Sequence, residues 1–98
     1  MSQTTDFITD LFRAANEVGK LSIDERRRLV DRAVRMAGEM RIETGVRPGR
    51  GHNDALRDIE IAALMAEARG NEDDIKAVLF DLAEMIRTLK IVLDGKTK

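Results

Sequence analysis

The residues of this chain that could do chemistry are few, and nearly all are charged. Its only histidine, His52, stands in "GVRPGRGHND", Gly45 to Asp54, together with Arg47 and Arg50. Two guanidinium groups and a loop amide just ahead of a helix start can hold an anion or a partner's carboxylate, since all of them donate N–H groups. Arg47, Arg50 and His52 are therefore a candidate contact for an anion or a partner. A lone His cannot complete a tetrahedral zinc site, and the chain has no cysteine to help it. His52 reads more simply as a polar residue in a linker, ahead of a helix capped by Asn53 or Asp54.

Carboxylates occur in pairs: Asp81 with Glu84, Glu39 with Glu43, and the run Glu72-Asp73-Asp74. Such groups bind magnesium in all-α hydrolases only when several pairs face one another. Each reads more simply as solvated helix surface. Ser2 and Ser22 are the only serines, there is no Tyr, and no base is placed against a nucleophile. The expectation is no catalytic residue, no metal ligand and no cofactor. An all-α magnesium-dependent hydrolase ranks third among the functional readings.

Basic residues cluster at Arg26-Arg27-Arg28, with Arg32 and Arg35 beyond. On a helix, Asp24 precedes Arg28 by four residues and Asp31 precedes Arg35 by four, the favourable spacing for ion pairs. That spacing predicts a largely self-neutralised face, unlike a phosphate-binding stripe. A helix-turn-helix reading places Glu25 and Arg28 where buried apolar residues belong. Stacking on single strands would need more than three Phe. A small DNA-associated transcriptional regulator using segment 26–57 is accordingly the second reading.

These side chains must be carried by something, and the composition says by what. The 98 residues hold 17 Lys and Arg against 18 Asp and Glu, with 43% hydrophobic and 3% aromatic residues. Aliphatic residues without aromatics favour helix over sheet. The charge is uneven: residues 20–57 hold ten Lys/Arg against six Asp/Glu, and residues 58–95 hold four against nine. Such polarity can orient two copies of the chain against each other. The longest apolar run, "IAALMA" from Ile61 to Ala66, is too short to span a membrane. No basic segment followed by an apolar run opens the chain, as a signal peptide would. With no cysteine, the expectation is one soluble domain over 1–98 in a reducing cytoplasm.

Apolar spacings of three and four predict an all-α fold, a small bundle of about four helices near 6–18, 23–44, 54–69 and 72–94. Gly19 is expected to close the first helix in a left-handed conformation. Ser22 and Glu25 form a capping box for the second, with Gly45 as its stop. Gly38 inside it suggests a neighbouring helix packed close. The third helix carries two apolar stripes, Leu56, Ile59, Ala63, Ala66 and Ile61, Leu64, Met65, Ala68, so burial on both sides is expected. The fourth has a seam of Ile75, Leu79, Leu82, Ile86, Leu89 and Leu93, alternating steps of four and three like a heptad. The same frame runs back through Gly70, so residues 54–94 could form one helix, but "RGNEDD" has the chemistry of a break.

"RRLVDRA", Arg27 to Ala33, and "LRDIE", Leu56 to Glu60, resemble two segments of the TraM-type anti-activators, which block quorum-sensing transcription factors of conjugative plasmids. Their separation is also similar, while the chain after Glu60 departs from that pattern. The resemblance implies a regulator acting by binding another protein. The residues themselves point the same way: more apolar helix surface than a thin monomer hides. The first reading is a non-catalytic protein-binding or regulatory module, for example an anti-activator or adaptor. It would be a homodimer using the seam from Ile75 to Leu93, with an unidentified protein as a further partner. Nucleic acid is not favoured, and no membrane is involved.

Overall fold

A computed structural model describes residues 3–45 and 55–96, and these are helical nearly throughout. Helix α1 spans Gln3–Asn16, a 3-10 turn follows at Val18–Lys20, α2 spans Ile23–Thr44, α3 Ala55–Arg69 and α4 Glu72–Lys96. The fold is the expected small all-α bundle.

The boundaries of α2, the end of α3 and the start of α4 have local causes. At the start of α2, the Glu25 amide donates to Ser22 Oγ at 3.1 Å and the Ser22 amide donates to Glu25 Oε1 at 3.0 Å. The capping box is closed on both sides. The amide and hydroxyl of Ser22 hold the Glu25 carboxyl below its ordinary pKa. Gly45 ends α2 at φ 80° and donates to the carbonyls of Arg41 and Ile42. Gly70 ends α3 at φ 65°, its amide donating to Ala66 at 2.9 Å. Asn71 then caps α4, its side-chain oxygen accepting from the Asp73 amide at 2.9 Å. The break at Gly70 is therefore real, and α3 and α4 are separate helices.

The end of α1 differs from expectation. Gly19 is not a left-handed stop; among the described residues only Gly45 and Gly70 have positive φ. The helix ends at Asn16, and the chain tightens into the 3-10 turn, where the Lys20 amide reaches the Glu17 carbonyl at 2.8 Å. Position 19 instead faces the Glu72 side chain on α4. A Cβ there would lie 3.3 Å from Glu72 Oε2 on α4.

Helix α4 is the centre of the molecule and packs against α1, α2 and α3. Its Ile75, Val78, Leu79, Leu82, Ala83 and Ile86 are buried. They meet Phe7, Leu11 and Ala15 from α1, Ala33, Ala37 and Met40 from α2, and Leu56, Ala63 and Ala66 from α3. Alanines at the contacts let the helix axes approach closely. Phe12 and Phe80 add a tilted ring pair at 5.8 Å.

Helices α2 and α3 touch each other only sparingly. They run antiparallel: Arg27, early in α2, reaches Glu67, late in α3, and Leu56 at the start of α3 lies over Gly38 late in α2. Gly38 does lie under a neighbouring helix, but a Cβ there would sit 3.9 Å from Leu56 Cδ2, an ordinary contact. Gly38→Ala should therefore stabilise the fold by about 1 kcal/mol, the helix-propensity difference. The melting midpoint should rise by about 4–8 °C. A midpoint that falls would mean that Leu56 cannot share the space.

Candidate interaction surface

The heptad-like seam of α4 is spent inside one chain. Ile75, Leu79, Leu82 and Ile86 are at most 5% exposed, and Leu89 and Leu93 are half-buried against the same core. A partner could reach the first four only by displacing the chain's own helices. Three helices of the same chain cover Ile75, Leu79, Leu82 and Ile86, so this part of the expected interaction seam forms the core of the bundle. Arg47, Arg50 and His52 lie outside the described residues, as do the caps expected at Asn53 and Asp54.

The second apolar stripe of α3 is where the chain departs most from expectation. It is not buried on two sides. Leu56, Ala63 and Ala66 face α2 and α4, whereas Ile61, Leu64 and Met65 are 48%, 69% and 48% exposed. The reason is position: α3 lies at the edge of the bundle, and none of the other described helices covers its outer face. The Cα framework measures 41 × 37 × 16 Å, thin in one direction, so an edge helix has little to pack under.

Beside that face a groove of about 640 Å³ runs between α2 and α3. Val30, Val34 and Ala63 form its apolar floor, and Leu64 stands on its α3 side. Its rims carry Arg27, Asp31 and Arg35 on α2 and Glu60 and Glu67 on α3. Arg27 Nε meets Glu67 Oε2 at 3.5 Å, spanning the groove at one end. Past that end a smaller hollow of about 150 Å³ lies between Ile23, Val30, Ala66, Ile75 and Val78. Arg26 lines it too, while its Nη2 donates to the Val18 carbonyl at 2.9 Å and stands 3.6 Å from Glu72. That arginine ties the 3-10 turn to both α2 and α4.

The basic face of α2 is used differently from its reading as paired charges. Among the described residues, neither Asp24–Arg28 nor Asp31–Arg35 closes within 4 Å; the pairs formed include Arg26–Glu72, Arg27–Glu67 and Arg69–Asp74, each between different helices. Arg32 lies over the Phe7 ring at 4.4 Å, a cation–π contact to α1. Asp81 and Glu84 are exposed, and Glu84 pairs with Arg87 at 3.5 Å. Among the described residues no group of three or more His, Cys, Asp or Glu could hold a metal ion. No helix there is long and apolar enough to cross a membrane.

The arrangement offers an apolar strip with a rim of both charges, which is chemistry for docking another helix. No family model, curated protein or solved structure matches the chain. The two segments that resemble TraM-type anti-activators lie on α2 and α3, one on each side of the groove.

Proposed function

We propose that this chain is a non-catalytic protein-binding module with a regulatory role, and that it works as a homodimer. The observation that supports this most is the outer face of α3, where Ile61, Leu64 and Met65 stand exposed and Leu64 also lines the groove. One exposed leucine needs no explanation, but three large apolar side chains on one face, next to an apolar-floored groove, make a patch suited to a protein partner. The interacting surface is then α2 and α3 instead of the α4 seam. A chain without cysteine suits a reducing compartment such as the cytoplasm.

The test is molar mass in solution. Light scattering behind a sizing column at micromolar concentration should give twice the chain mass. A monomer throughout that range would overturn the homodimer. Strong retention on immobilised DNA that falls steeply with salt would favour the nucleic-acid reading.

A further inference from the structure

We infer that a second copy of this chain docks on the α2–α3 groove, about a two-fold axis parallel to those helices, so that α2 of each copy packs against α3 of the other. This rests on the homodimer reading and names its surface.

The argument begins with the rims. Rotation about an axis parallel to the helices leaves every residue at its own height along that axis. Arg27 and Glu67 share a height, because they form a 3.5 Å ion pair within one chain. From Arg27 to Arg35 is eight residues, a rise of about 12 Å; from Glu67 back to Glu60 is seven, about 10.5 Å in the same direction, since the helices are antiparallel. Arg35 and Glu60 therefore share a height as well, and both line the groove. The partner's acidic rim arrives level with this chain's basic rim at both places, with no adjustment of register. Among the described residues neither Arg35 nor Glu60 has an ion pair within the chain, so both charges are available to a partner.

The alternative two-fold, perpendicular to the helices and centred on the groove, brings Arg27 toward the partner's Arg35 and Glu60 toward the partner's Glu67. Like charges at that separation oppose docking. The parallel axis also sets four helices in a square where each neighbour is antiparallel, a stable bundle geometry. Leu64 with Val34 would fill its centre, and Ile61 would meet the partner's α2. The rim favours this occupant over a strongly charged one: two arginines and three carboxylates leave no large net charge to attract an unrelated acidic or basic partner.

The experiment uses two charge reversals at exposed positions, Arg35→Glu and Glu60→Arg, with sedimentation equilibrium as the readout and circular dichroism to confirm unchanged helix content. Each variant alone should weaken self-association on the order of tenfold, because every dimer contains the altered pair twice. Mixing the two variants should restore wild-type affinity to within about threefold, since each reversed site then meets the opposite sign in the other chain. Leu64→Arg should give a monomer whatever the mixture. A wild-type dimer whose variants do not rescue each other, or that survives Leu64→Arg, overturns this surface while leaving the homodimer reading intact. A monomeric wild type overturns both.

Discussion

Replacing Leu82 by Ala is expected to lower the stability of the fold by ~2–5 kcal/mol, as truncation of a buried core leucine does. Leu82 has no exposed surface and lies midway along α4, the helix that α1, α2 and α3 all pack against. The cost has two parts, the lost transfer of the side chain from water and the cavity left behind. The cavity part should be near its upper range here. Leu79, Ala83 and Ile86, also without exposed surface, sit on the same rigid helix and cannot all move into the space. A domain of this size has about 5–15 kcal/mol of stability in total, so the loss would be visible in urea and in thermal unfolding alike. Leu93→Ala, at a half-buried position of the same seam, should cost less than half as much. Equal losses at both positions, or an unmoved midpoint for Leu82→Ala, would mean that the seam is not the core of one chain.

That contrast shows which parts of the fold were legible in the sequence. Features set by residues close in sequence were readable: the Ser22–Glu25 capping box, the Gly45 stop, the break in "RGNEDD" and the apolar stripes. These depend on backbone geometry that every helix shares. Features set by which helix lies beside which were not. A heptad-like seam looks the same whether it faces the chain's own helices or another copy, and only the position of α4 at the centre decides between them. The Arg27–Glu67 pair joins residues forty positions apart and leaves no periodic signal. Arg32 over Phe7 likewise needs α1 beside α2. Gly19 misled for a related reason. Its place after an apolar stripe looks like a helix stop, but its φ is not positive; the chain turns through a 3-10 segment there, and Glu72, far along the chain, lies 3.3 Å from where its Cβ would be. The candidate surface was half visible. The second stripe of α3 stood out in the sequence, but its exposure follows from α3 being an edge helix.

Gly70→Ala is expected to cost about 1–2 kcal/mol, the penalty for an L residue held in the left-handed region. The position isolates that effect. Gly70 has φ 65°, and nothing lies within 4 Å of where a Cβ would be, so the loss would be conformational rather than steric. Gly70→Asn should cost less, because Asn tolerates that region better. The physical interest lies in the competing state. The frame Ile61, Ala68, Ile75, Leu82, Leu89 passes through residue 70 without a phase shift, so α3 and α4 could continue as one helix. Alanine favours that continuation and glycine opposes it, by about 1 kcal/mol. In the continuous form α3 leaves its own α2, and its buried stripe can be covered only by another chain, which is the route to a domain-swapped dimer. Gly70→Ala should therefore show a lower urea midpoint together with a larger hydrodynamic radius at high protein concentration. Gly70→Asn should show neither to the same degree. Stability that rises in Gly70→Ala with an unchanged radius would show that the left-handed turn is not what holds α3 against α2 and α4.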